Sequence, residues 1–179
     1  IYGRGGDAAD AAFDAIVALT TSLDIPASTM ANALATQVAA GALGATTAFV
    51  VFGALSPHGS PVNAAVAGLI SGGSITVAAL DAAVDAGQYS ASNAIAVLGS
   101  VVPGAAPGLR AEALAEVQAL VSETPALASQ ALPIFMGLAV SGDHALRLVG
   151  REGIEALAAV APGVGSAAFL QLLSYMPVP

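Results

Sequence analysis

Along this chain apolar and small residues recur at three- and four-residue intervals far more often than in alternation, the pattern of helices packed on one another. Between Asp7 and Leu23, the carboxylates of Asp7, Asp10 and Asp14 share one face while Phe13, Ile16 and Val17 share another. That spacing predicts a first amphipathic helix whose acidic first turn suits the helix dipole. Ile25-Pro26-Ala27-Ser28 interrupts it, and Ser28 or Thr29 is placed to cap a second, long helix ending near Leu55. Ser56-Pro57-His58-Gly59-Ser60-Pro61 is the clearest turn in the chain.

Beyond that turn, Gly and Pro divide the sequence into short helices at about 62–71, 75–86, 90–102, 108–122, 125–140, 143–149, 151–161 and 165–175. Gly72-Gly73-Ser74 ends one of them and caps the next, where Val77, Leu80 and Val84 face inward and Asp81 and Asp85 outward. Leu114, Val117 and Val121 are set against Glu112 and Glu116 in the same way. Pro133 should kink its helix or split it near Leu132, because a proline removes a backbone donor and crowds the preceding turn. Such short helices are unstable alone, so tertiary packing must hold them.

The one β-rich cluster, residues 48–52, lies inside an alanine-rich stretch that reads as helix. The predicted fold class is all-α: a multi-helix bundle or an irregular stack of antiparallel helical hairpins around a long uncharged central helix. Segments 69–98 and 138–160 both run helix, Gly-containing turn, helix, but their lengths and side chains do not superpose as a strict repeat. Residues 1–179 read as a single domain, with the Ser56–Pro61 turn as the place for any sub-division. A start at Ile1 with no basic and apolar leader reads as a processed chain or a piece of a longer one.

Charge sharpens this picture. No Asp, Glu, Lys or Arg occurs from Ile25 to Leu80, and a helix-forming stretch so free of charge must face protein, lipid or an apolar ligand. The only cations are Arg4, Arg110, Arg147 and Arg151; a net charge of −8 with no basic stripe excludes nucleic acid as a partner. The absence of cysteine removes disulfides, thiolate metal sites and thiol nucleophiles, and points to no particular compartment. Much of the 56% hydrophobic content is alanine, the best helix former and the weakest hydrophobe, so the mean hydropathy of +0.82 overstates the apolar drive. With five Phe, three Tyr and no Trp, large anchors for a deep pocket are few.

Three features are candidates for a site. Gly41/Ala45 and Gly44/Ala48 place small residues at four-residue spacing, which predicts a seam where helices approach closely along Gly41, Gly44, Ala45 and Ala48. As one helix, Met30–Leu55 would be roughly 39 Å long at ~1.5 Å per residue, enough to cross a bilayer. Its alanine content, its Asn32 and Gln37 and the lack of flanking Lys or Arg favour a helix buried among others. The densest polar cluster, Asp143, His144, Arg147 and Glu155, offers a His–carboxylate pair for acid–base work. The same residues also read as Asp143 capping a helix and pairing with Arg147 one turn on, and that structural reading is preferred. His58, between prolines, reads as a surface turn residue. Gly163–Ala168 fits a loose G-x-G-x-x-A pattern, but no βαβ unit can surround it, so it reads as a turn between helices. No Cys/His ligand spacing, phosphate loop, calcium loop or nucleophile elbow is present, so no catalytic, metal or cofactor residue is predicted.

The expectation is a non-enzymatic helical structural or protein-interaction module, part of a larger protein or assembly, with a protein partner or self-association. The alternative is a membrane-active or lipid-associated domain that inserts or docks the Met30–Leu55 helix. A third reading is a small-molecule enzyme or carrier, with an apolar ligand held between alanine-lined helices.

Overall fold

The computed structural model describes Ala18 and residues 26–174. The predicted helix from Asp7 to Leu23 therefore lies outside the described residues, apart from Ala18. Among the described residues the fold is all-α, as expected: α1 (Ala27–Ala39), α2 (Ala45–Leu55), α3 (Ser60–Ser71), α4 (Val77–Asp85), α5 (Ala91–Val101), α6 (Pro107–Glu123), α7 (Ala128–Ala139), α8 (His144–Val160) and α9 (Pro162–Ser174). Short 3-10 turns at Ser56–His58, Val102–Gly104 and Pro125–Leu127 join some of them. The chain divides between Val101 and Val102 into two compact units, not at the Ser56–Pro61 turn, where α2 passes directly into α3 within one unit.

The first unit is a stack of hairpins. Helix α3 packs against both α1 and α5, and α2 packs against α4, so alternate helices form two rows. Three of its connections share one geometry. Gly41, Gly73 and Gly87 each follow a helix C-cap and adopt φ of 71°, 74° and 68°, the left-handed region that only glycine enters without penalty. At each, the next amide reaches back to close the helix: Ala42 N donates to Gln37 O, Ser74 N to Leu69 O and Gln88 N to Ala83 O, all at 2.9 Å. The sequence conceals this structural repeat because only the glycine is specific to it.

That geometry overturns the long central helix. Its chain leaves α1 at Gly41 and re-enters a helix only at Ala45, so Met30–Leu55 forms parts of two helices of 13 and 11 residues. These are roughly 20 and 16 Å long at ~1.5 Å per residue, and no helix among the described residues is long and apolar enough to cross a membrane. Nor is the stretch uniformly buried. Helix α2 buries Ala48, Phe49, Val51, Phe52 and Leu55, whereas α1 buries only Ala31 and Val38. Helix α1 begins at Ala27 behind Pro26 with no side-chain cap, so Ser28 and Thr29 lie inside its first turn. Likewise the cap of α4 is Thr76, whose hydroxyl accepts from Ala79 N at 3.1 Å, and not Ser74.

The second unit is built on the α7–α8 hairpin, with α9 and α6 packed against α8. The predicted split at Pro133 and the predicted break at Gly150 do not occur. Helix α7 runs through Pro133, whose ring is exposed and so meets solvent on the side where the lost backbone bond can be hydrated. Helix α8 runs without interruption through Gly150, merging the predicted 143–149 and 151–161 helices. Gly150 is there for packing: a Cβ on it would lie 2.7 Å from Phe135 O and closer still to Ala139 N. Gly153, one turn on, would drive a Cβ into the Phe135 ring. The close helix seam of this protein is thus Gly150–Gly153 of α8 on Phe135 and Ala139 of α7.

Candidate functional site

Gly41 and Gly44 do not form a helix seam, because both sit in the α1–α2 connection. Both are exposed, and a Cβ at either would meet nothing within 4 Å. Ala45 opens α2, and of the predicted four only Ala48 is fully buried. A close approach does occur nearby, at Gly53, where a Cβ would fall on the backbone carbonyl of Gln88.

Asp143, His144 and Arg147 form one local structure around the start of α8, and Glu155 is not part of it. Asp143 caps the helix, its Oδ1 accepting from Ala145 N at 2.8 Å. Instead of pairing with Asp143, the Arg147 guanidinium donates to the carbonyls of Ser141 and Gly142, both at 2.9 Å, with His144 Nδ1 3.5 Å away. It thereby satisfies carbonyls that follow the end of α7. Glu155 is exposed and stands roughly 16 Å further along the helix axis at ~1.5 Å per residue, out of reach of the imidazole. His144 is itself exposed, with no wall to exclude water or hold a substrate. The arrangement is a helix start, as the structural reading had it.

Arg110 does the same service in the second unit. Its Nε donates to Val102 O at 3.2 Å and its Nη2 to Ala105 O at 2.8 Å, fastening the 3-10 turn to the first turn of α6. Gly163–Ala168 lies inside α9, which begins with Pro162 at its first position, where a missing donor costs nothing. It is helix and not the turn expected. His58 is the last residue of the Ser56–His58 turn, which the Gly59 amide closes by donating to Ser56 O at 2.9 Å.

Sequence reasoning missed a polar network in the core of the first unit. Tyr89, between α4 and α5, is 3% exposed and donates to Asn63 Oδ1 of α3 at 2.6 Å. Asn63 Nδ2 in turn donates to Asn93 Oδ1 of α5 at 3.3 Å. The Tyr89 ring meets Phe49 of α2 edge to face, with centroids 5.7 Å apart. Burial pushes its phenol well above the usual tyrosine range, so it stays a neutral donor at physiological pH. Its acceptor is the Asn63 amide, which cannot take its proton, so the network ties α3, α5 and the α4–α5 connection together. The signal was available: Asn63 and Asn93 are poor helix formers placed inside helices among Val62, Val66, Ala94 and Ile95.

The concavities are shallow. One, about 490 Å3 between α1 and α3, has exposed Asn32, Thr36, Ala39, Ala64 and Gly68 on its walls and is a surface groove, not an enclosed cavity. One of about 270 Å3 lies between α2 and α4, lined by Thr46, Gln88 and four alanines. A third, about 180 Å3, lies between α6 and α8 over Leu114, Leu146 and Val149. Among the described residues no three His, Asp or Glu side chains converge as a metal site would require.

What does stand out is apolar surface. Val140, Leu148, Val149, Val160, Phe169 and Leu170 are the large hydrophobic side chains left exposed among the described residues, and all belong to the second unit. Comparison with protein families, with curated proteins and with solved structures gives no match to this chain.

Proposed function

We propose that this protein is a non-enzymatic helical module that works by packing against another protein through its second unit. The observation that carries the reading is the confinement of exposed large hydrophobics to Val140–Leu170, with Phe169 and Leu170 62% and 67% exposed side by side on α9. Single exposed hydrophobics are ordinary on protein surfaces; adjacent large ones on a helix that carries no charge are the composition of a contact face. The first unit supports the same reading in a different way. Its described residues carry only Asp81 and Asp85 as charges, so its surface is Ala, Ser, Thr, Asn and Gln, residues suited to close packing and unsuited to ion chemistry. In the second unit Asp143, Arg147 and Arg110 are engaged with backbone groups at helix ends and turns.

The test is affinity capture with the wild-type chain and with a Phe169→Asp/Leu170→Asp variant, followed by identification of what is bound in stoichiometric amount. The wild type should hold a protein that the variant releases, while helicity and unfolding midpoint stay together, since both side chains are exposed and such changes alter stability by only about 0.5 kcal/mol. Equal capture by both proteins, or by neither, overturns the assignment of the contact face.

A further inference from the structure

We infer that the outer face of α9 pairs with the α9 of a second copy, lying antiparallel across a two-fold axis; this rests on the packing-module reading above and names the partner. Among the described side chains of α9 only Val164 and Ala168 are buried, with Gly165 and Leu172 half-buried beside them. Gly163, Ser166, Ala167 and Leu170 therefore run down the opposite face at three- and four-residue spacing, with Phe169 at its margin. Over Gly163 to Leu170 the face is graded by size: it offers a hydrogen at Gly163, a hydroxymethyl and a methyl at Ser166 and Ala167, and large side chains at Leu170 and Phe169.

A graded face is complementary to itself only when reversed. In a two-fold contact, if one residue touches a second, the second touches the first on the other side. Antiparallel pairing centred near Ser166 and Ala167 sets Leu170 of each copy over Gly163 of the other, large into small at both ends. A parallel pair would stack Leu170 on Leu170 and leave an empty space at Gly163.

Charge points to the same occupant. The chain carries −8, and copies of it repel one another wherever their carboxylates approach. No charged residue follows Glu155, so α9 is a face on which two copies can meet without that repulsion and on which a charged partner finds no counter-ion. The area sets the strength. Phe169 and Leu170 each leave on the order of 100 Å2 of apolar surface in water, and two copies with the small residues beneath them would bury roughly 500 Å2. That is below the ~1,200 Å2 of a standard stable interface, so the pair is weak and concentration-dependent.

Sedimentation equilibrium of the 179-residue chain tests this first. The mass should rise from 17.2 kDa towards twice that value as concentration increases. It should stay monomeric for Leu170→Asp, and for Gly163→Leu, which fills the space that Leu170 needs. The double swap Gly163→Leu/Leu170→Gly, which exchanges large and small, should restore association. Because the chain has no cysteine, direction can be read by disulfide trapping. A Gly163→Cys chain mixed with a Leu170→Cys chain should cross-link to each other in preference to Leu170→Cys with itself. A wild type that remains monomeric throughout, an association indifferent to Leu170→Asp, or preferential 170-to-170 trapping overturns the inference. A monomeric wild type that still captures another protein through Phe169 and Leu170 would sink the second-copy assignment while leaving the packing-module reading standing.

Discussion

Two pairs of glycines at the same three-residue spacing, Gly41/Gly44 and Gly150/Gly153, have opposite roles. The first pair ends one helix and precedes another in open surroundings; the second lies within α8, pressed against the backbone and ring of α7. Spacing alone therefore does not identify a helix seam. What distinguishes the pairs is the backbone conformation, since Gly41 at φ 71° leaves the helix and so removes both residues from any helical face. The two units also hold their helices differently. The second relies on direct backbone contact at glycine, the first on the Tyr89–Asn63–Asn93 hydrogen bonds together with a tight approach at Gly53.

The sharpest way to break this contrast is Gly150→Leu. The atoms it would meet are the backbone of Phe135 and Ala139, which cannot swing aside, so the cost should reach about 3 kcal/mol, the upper end for overpacking. In thermal unfolding that corresponds to a midpoint lowered by roughly 6–12 °C. A loss below ~1 kcal/mol would show that α7 and α8 are not in contact there.

Next in size is the polar core of the first unit. Tyr89→Phe removes the donor to Asn63 and should cost about 1 kcal/mol at neutral pH, measured by denaturant unfolding. The pH dependence has a definite sign. Above about pH 10 the unfolded chain releases the phenolic proton while the folded one, with its raised pKa, retains it. Folding then takes up a proton, so the wild type loses stability as pH rises through this range and loses none of it below. The gap between wild type and Tyr89→Phe should narrow as pH rises above 10; a gap that is constant from pH 7 to 10.5 would contradict the burial of this phenol.

Gly41→Ala should cost about 1 kcal/mol, although nothing lies within 4 Å of the site, because the penalty is the left-handed backbone itself. Comparison with Gly41→Asn, which tolerates that conformation better, separates backbone strain from crowding: only strain predicts that Asn is the milder change. The smallest effect is a gain. Gly44 stands at the cap position of α2 with no side-chain hydrogen bond, so Gly44→Ser should be neutral to stabilising, by a few tenths of a kcal/mol. A loss of 1 kcal/mol or more in the unfolding midpoint would restore the idea that Gly44 faces a neighbouring helix.

Helix type and several boundaries were legible locally. Asp143 is a side-chain cap, Pro107 opens a helix, and Gly73 and Gly87 close helices, all through forces acting within a few residues. Asp143 could be named in advance as a cap for that reason. The direction in which Arg147 turns could not, because Ser141 O, Gly142 O and the Asp143 carboxylate all lie within one flexible side chain's reach and only the turn geometry chooses among them.

Glycine marks the boundary between the two kinds of information. By itself the sequence determines that this chain is helical, acidic, free of thiol chemistry and poor in groups that could do catalysis, since these follow from residue types and local propensity. Whether a given glycine ends a helix, as Gly41 does, or lets a neighbour touch it, as Gly150 does, depends on atoms distant in sequence. The same holds for Asn63, Tyr89 and Asn93, which meet only because α3 packs against α5, and for Phe169 and Leu170, which are exposed only because α9 turns Val164 and Ala168 inward. Burial is a property of pairs of surfaces, and a one-dimensional pattern carries it only where a strong polar face shows which side is outward. Alanine-rich helices without charge have no such face, so in this protein the tertiary structure decided the contacts that the sequence left open.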